Sequence, residues 1–234
     1  NAVTFLAMIL ALLAMRSSEL IPRPRTMGSR RITEGIRYVL ARQDLIVVFI
    51  VVFLVGAFGM NFPIFASTMA LEFGRDADGY GLLSSILAIG SLVGALLAAR
   101  RAQARMRVVV IAALGFGVTS LISVFMPSYA SYAAVLVFVG FTTVTMLTTA
   151  NAYVQTTTEP QLRGRVLALY MALVMGSTPI GAPIAGWVAD AFGPRAAIGV
   201  GAAAGLLAGA IGIAWILSSG RLHRDPQHRF GLVL

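Results

Sequence analysis

Six long apolar segments run through the chain at approximately 45–71, 80–99, 108–126, 132–154, 166–188 and 196–217. Each reaches or approaches the ~20 residues a helix needs to cross a bilayer core. None carries a charged residue within its apolar core, and the connections between them are short. Buried helices of a soluble protein would show a polar face somewhere, so the pattern predicts six membrane spans. A further uncharged run, from Asn1 to Met15, precedes Arg16. As a helix it would extend roughly 22 Å, short of the ~30 Å hydrocarbon core. It lacks the basic start of a signal peptide. The run is therefore expected to be the end of a membrane helix that begins upstream, in a longer protein.

The segment 16–44 is different. Pro22 and Pro24 favour extended backbone in its first part. After Gly28, the residues Ile32, Ile36, Val39 and Leu40 fall on one helical stripe, and Arg30, Arg31, Glu34, Arg37 and Arg42 fill the other positions. A basic amphipathic helix beside a span is expected to lie in the headgroup plane. Its simplest role is a tether between two membrane bundles; the sharper alternative is a regulatory or partner-binding helix. Residues 218–234 form a basic tail. The predicted organisation is a partial span at 1–15, a linker at 16–44, a six-helix bundle at 45–217 and a tail at 218–234.

Composition strengthens this picture. The 234 residues are 58% apolar and 12% charged, with a mean hydropathy of +0.86. Soluble domains run at about 45–50% apolar and 25% charged, and disordered chains are poorer still in apolar residues. Cysteine is absent, which excludes disulfides, thiolate metal sites and cysteine nucleophiles. Lysine is absent too, so the net charge of +9 comes from arginine. Sixteen of the 18 arginines fall in 16–44, 100–107, 155–165 and the tail, and only Arg75 and Arg195 fall in the alternate connections. The positive-inside rule places the arginine-rich connections in the cytoplasm and 72–79, 127–131 and 189–195 outside. The charge thus reports topology and attraction to anionic lipid headgroups. A nucleic-acid partner would need a basic cluster on a soluble domain, and none is present.

Enzyme chemistry finds little support. The two histidines, His223 and His228, sit in the tail, and all nine acidic residues lie in connections or at span ends. No intramembrane ionisable residue marks a proton path, so coupling would involve a group at a membrane edge or elsewhere. Three other features stand out. Small-residue faces recur at Gly90 and Gly94 and at Gly201, Gly205 and Gly209, which permit close helix approach. Helix breakers sit inside two spans. Asn61 and Pro63 follow Gly56 and Gly59, where Pro63 should kink the helix and free a carbonyl near Gly59. Gly176, Pro179, Gly181, Pro183 and Gly186 crowd a second span. Irregular backbone at membrane depth survives only when protein or a water-filled cavity covers it, a pattern that recurs in transporters. Finally, Thr142, Thr145 and Thr149 form a stripe, with Thr143, Thr148 and Asn151 beside it. The stripe suits either hydroxyls bonded back to their own helix or a polar cavity wall.

Several of these motifs resemble the major facilitator superfamily. Gly81-Leu82-Leu83 through Gly90-Ser91-Leu92-Val93-Gly94-Ala95-Leu96 is similar to that family's eighth helix. Pro160-Gln161-Leu162-Arg163-Gly164-Arg165-Val166 resembles the loop before helix eleven. Gly176 to Gly186 and then Trp187-Val188-Ala189-Asp190-Ala191-Phe192-Gly193-Pro194-Arg195 resembles helix eleven and the turn into helix twelve. Asn61-Phe62-Pro63 looks like the seventh helix of bacterial members, and the nearest group is the enterobactin-exporter-like efflux branch. The resemblance covers nearly the whole chain, as the end of helix six, the central loop and helices seven to twelve.

It implies an all-α membrane protein whose six-helix bundle is the C-terminal half of a two-part transporter, with the N-terminal half of the polypeptide as its partner. Helices seven and ten would line a central cavity, flanked by eight and eleven. The residues carried over are Asn61, Thr145 and Thr149, then Tyr170 and Met175, with Arg163, Arg165, Asp190 and Arg195 in the gating and topology motifs. The cargo implied is a small amphipathic drug, siderophore or lipid-like metabolite. A proton gradient is the expected energy source, with no cofactor or metal, in a plasma membrane such as the bacterial inner membrane. One departure stands out. The family's loop between helices eight and nine often keeps an aspartate four residues after a glycine, whereas Gly94 is followed by Ala98 and only the arginines remain. Two other classes fit the span count: a seven-span receptor, although a retinal protein would need a lysine, and a membrane scaffold with a closed core.

Overall fold

The computed structural model describes residues 2–14, 32–101 and 103–219. The apolar start forms one helix, α1 (Ala2–Leu13), which stands as a separate unit. The second unit begins with a short helix, α2 (Ile32–Ala41), and continues as a six-span bundle. Its first span joins α3 (Gln43–Leu54), a π-helical turn (Val55–Gly59) and α4 (Phe62–Glu72). The other five are α5 (Ala77–Ala99), α6 (Met106–Val124), α7 (Tyr129–Thr157), α8 (Arg163–Phe192) and α9 (Pro194–Ser218). All six apolar segments of the sequence are therefore helices, each of membrane-spanning length and hydropathy.

Local chemistry sets the boundaries. Ser128 and Ser131 form a reciprocal capping box at the start of α7, which satisfies two otherwise orphaned donors. Between α8 and α9 the backbone turns at Gly193, whose φ of 88° suits glycine, and Pro194 opens the next helix. Along the spans, glycines set how closely helices approach. A Cβ on Gly90 would collide with the Val137 carbonyl, and one on Gly140 would collide with that of Leu87. The α5–α7 crossing is thus a backbone-to-backbone contact held by dispersion and by the absence of side chains. Gly201 closes α9 onto the Phe58 carbonyl, and Gly205 closes it onto Gly117 of α6.

The ends of the bundle sort as the arginine distribution requires. At the arginine-poor end, Arg195 donates to Glu72 Oε1 at 2.6 Å and to the Val124 carbonyl at 2.6 Å. One side chain thereby ties α9 to the ends of α4 and α6. Arg75 stacks over Tyr129, whose hydroxyl donates to the Gly79 carbonyl. At the opposite end lie α2, the start of α3, the end of α7 and the start of α8. Residues 16–31 and 220–234, which hold much of the linker and the tail, lie outside the described residues.

Candidate functional site

The break in the first span is a π-turn rather than a simple proline kink. Met60 N–H bonds to the Val55 carbonyl, five residues back, and α4 restarts after Asn61 with Pro63 in its first turn. The sequence predicts a freed carbonyl near Gly59. The carbonyl that receives a side-chain donor is instead that of Ala57, bonded by Asn61 Nδ2 at 2.6 Å. Asn61 is only 2% exposed, and its Oδ1 has no partner among the described residues.

The second breaker-rich segment behaves unlike its prediction. α8 remains one continuous α-helix through Pro179 and Pro183. Its glycines explain why this region is so rich in small residues. A Cβ on Gly181 would run into the Ala57 carbonyl, while Gly56 leaves room for Ser177 Oγ. The two irregular segments picked out separately in the sequence therefore pack on each other. The proline face itself is exposed, with Met175 (74% exposed), Pro179 and Pro183 one turn apart. Neither proline can donate a hydrogen bond, so the carbonyls four residues earlier lose their usual donors.

The threonine stripe divides into two faces. Thr142, Thr143 and Thr148 donate to carbonyls of their own helix at 2.6–2.8 Å. Thr145 is buried beside Gly94 of α5, with its hydroxyl unpartnered among the described residues. Thr149 is also buried but borders a cleft of about 240 Å³ between α5 and α7, alongside Arg101, Gln103 and Ala104. A second cleft, of about 460 Å³, opens between α7 and α8. Leu147, Thr148, Asn151, Ala152, Gln155 and Thr156 form its α7 wall, and Tyr170, Met171 and Val174 form its α8 wall. Thr148 and Ala152 border both clefts.

The candidates are thus not brought together as the sequence suggests. Thr149 and Tyr170 border clefts, whereas Asn61 borders neither of these two, and Thr145 packs between α5 and α7. Sequence reasoning misses Gln155, Thr156 and Met171 and gives Asn151 only a place beside the stripe. A signal is present: Thr148, Asn151 and Gln155 continue one stripe at i, i+3 and i+7. Gln155 escapes it because hydropathy ends that span at 154, three residues before α7 stops.

The wall of the larger cleft is amphipathic and uncharged. Gln155 Nε2 donates to Asn151 Oδ1. Thr148 and Thr156 donate to their own helix and keep acceptor oxygens. Tyr170 is buried and donates to the Leu147 carbonyl at 3.2 Å. Met171, Val174 and Leu147 supply the apolar side. Such a surface takes molecules with an apolar body and a few neutral hydrogen-bonding groups.

Charged groups gather at the arginine-rich end of α7 and α8. Asp44, read in the sequence as part of a connection, begins α3 and is only 5% exposed. Arg42 meets it with two hydrogen bonds, at 2.5 and 3.1 Å, and Tyr153 donates to it at 2.9 Å. Arg42 also donates to the Thr157 carbonyl at 2.5 Å and to Tyr38 Oη at 3.0 Å. The Asp44 carboxylate holds the Arg42 guanidinium well above its ordinary range, so this arginine stays charged. Of the motif residues, Arg165 pairs with Glu34 and Arg163 reaches the Thr158 carbonyl at 3.5 Å. Arg195 clamps the opposite end, and Asp190 is exposed.

Six membrane-length helices in one bundle, with amphipathic clefts open along α7, define a multi-pass helical membrane protein. Its family follows from the chain as a whole. The chain belongs to the Major Facilitator Superfamily, whose profile matches residues 47–231. No curated protein and no solved structure matches it. The family is one of membrane transporters.

Proposed function

We propose that the protein is a secondary active transporter that exports a small amphipathic molecule by alternating access. In this reading the six spans are the C-terminal half of the transporter, and a second bundle from the same polypeptide completes the cavity. The observation that carries the reading is the open α7–α8 cleft, with its carboxamide and hydroxyl wall on one side and apolar wall on the other. The exposed proline face of α8 supports the second bundle. Carbonyls deprived of donors are costly against lipid and need protein or water to cover them. Resemblance to the enterobactin-exporter-like branch supports outward transport. A proton gradient supplies the energy, in a plasma membrane such as the bacterial inner membrane. Lipid is a partner as well: Ile32, Ile36 and Leu40 of α2 are exposed next to Arg37, which suits a helix at an anionic headgroup boundary.

The test is dye accumulation in cells expressing the complete gene product. Expression should lower the steady-state level of a fluorescent amphipathic dye, and an uncoupler should restore it. Gln155→Leu at unchanged membrane abundance should weaken the effect about tenfold, as expected when a binding site gives up one hydrogen-bonding partner of its ligand. Equal dye levels with and without the protein, across neutral and cationic dyes, would overturn the reading.

A further inference from the structure

We propose that α2, with the Arg42 that follows it, is a strap that holds the arginine-rich ends of α7 and α8 together and so sets the width of the cleft between them. This inference rests on reading the α7–α8 cleft as the transport cavity.

The need for a strap comes from how the bundle packs. α7 packs chiefly on α5 and α6, while α8 packs on α9 and the π-turn. Their contact with each other is thin and includes the Tyr170 hydroxyl on the Leu147 carbonyl. The open space beside that contact is bordered on α7 from Leu147 to Thr156 and on α8 by Tyr170, Met171 and Val174. The strap lies at the arginine-rich end of the two helices and holds both there.

Each grip matches the charge of the helix end it holds. α8 begins at Arg163, so Arg163 and Arg165 sit at a helix N-terminus, where the backbone dipole disfavours positive charge. Glu34 of α2 pairs with Arg165 there. Gly35, one residue on, allows close packing: a Cβ at that position would lie 3.1 Å from Arg165 Cβ and 3.3 Å from Leu169 Cδ1. α7 ends at Thr157, where unpaired carbonyls favour a cation. Arg42 donates to the Thr157 carbonyl, and its partner Asp44 receives the Tyr153 hydroxyl from the preceding turn. Tyr38 of α2 completes the set, accepting from Arg42 at 3.0 Å and from the Glu159 backbone N–H at 3.4 Å. The strap thus offers an anion to one helix start and a cation to the other helix end.

The device is releasable. A helix of ten residues is marginal by itself and persists by docking. Its grip at α8 is a single part-exposed ion pair, whose loss costs little beside the packing of the six spans. Glu34, Arg42 and Arg165 are positioning residues in this scheme: they act on cargo through the separation of the helices they hold.

Cysteine is absent from these 234 residues, so labels placed in them report the width once any cysteine in the rest of the polypeptide is replaced. Spin labels on Q155C and M171C, both exposed, report the separation of α7 and α8 in the full-length protein. Labels on L82C and V118C, also exposed, report on α5 and α6, away from the strap. Glu34→Arg should raise the population of the wide 155–171 state about two- to fivefold, the range for a part-exposed ion pair. The milder Glu34→Gln should move it in the same direction. The double variant Glu34→Arg/Arg165→Glu should return it to the starting distribution, and the 82–118 distance should not change. An unchanged 155–171 distribution in both Glu34 variants would overturn the proposal. So would failure of the double variant to restore it, or an equal change at 82–118, which would mean general loosening. The distance is read without cargo. A wider cleft in a protein that moves no dye would keep the strap and discard transport, and transport with an unchanged cleft would do the reverse.

Discussion

Asn61 and Thr145 are both buried polar residues in membrane spans, and they use their hydrogen-bonding capacity differently. The Asn61 amide satisfies the Ala57 carbonyl at the π-turn. Asn61→Leu removes that donor and leaves a buried carbonyl unpaired, so it should destabilise the protein by about 1–3 kcal/mol. The Thr145 hydroxyl has no partner among the described residues, so Thr145→Val removes a buried polar group that gains nothing. It should be neutral or slightly stabilising, within about 1 kcal/mol. Thermal unfolding of the purified variants in one detergent checks both, and equal losses of stability would contradict this reading of the two sites. The polarity of both residues is legible in the sequence. Their partners are not, because a carbonyl becomes available only through the π-turn, which no residue pattern announces. Asp44 is hidden for a related reason. Two residues from Arg42 and at a span edge, it reads as a solvated loop acid until Tyr153, 109 positions away, is packed against it.

At the scale of the element, glycine-rich helices carry positions of opposite sensitivity. Gly181 lies against the Ala57 carbonyl, while Gly186 on the same helix faces open space. Gly181→Ala must push α8 off the π-turn and should cost about 1–3 kcal/mol, as overpacking usually does. Gly186→Ala should be neutral or stabilise by up to about 1 kcal/mol through helix propensity. Unfolding midpoints of the two variants check this, and a stable Gly181→Ala protein would mean that the α8–π-turn crossing is looser than described. The existence and type of the six spans follow from hydropathy, because bilayer thickness fixes how long an apolar run must be. Their continuity does not. Two prolines in α8 read as a break, yet the helix passes through both, since proline removes only a donor and a helix can tolerate that on an open face. Helix ends escape hydropathy wherever polar residues stay helical beyond the apolar run, as at Gln155.

For the whole molecule, the contacts at each end group the connections as the arginines do, with Arg195, Glu72 and Val124 together at one end and Arg42, Glu34 and Arg165 at the other. Orientation is then a matter of labelling. A cysteine replacing Asp76 should react with a membrane-impermeant maleimide on intact cells, and one replacing Gln103 should react only after lysis. The opposite result would invert the topology. The residues that wall the larger cleft, Asn151, Gln155 and Met171, become visible as a set only when α7 and α8 stand side by side. Sequence periodicity orders residues along one helix and says nothing about which face its neighbour leaves open.

The central claim is that this cleft holds cargo, and protection of a single introduced thiol tests it most directly. In full-length protein carrying Q155C, a soluble maleimide should modify the thiol about tenfold more slowly when an amphipathic dye that the transporter lowers in cells is present at saturation, as near-complete occupancy of the site requires. The same dye should leave modification of L82C unchanged. Equal modification rates of Q155C with and without the dye would contradict the account.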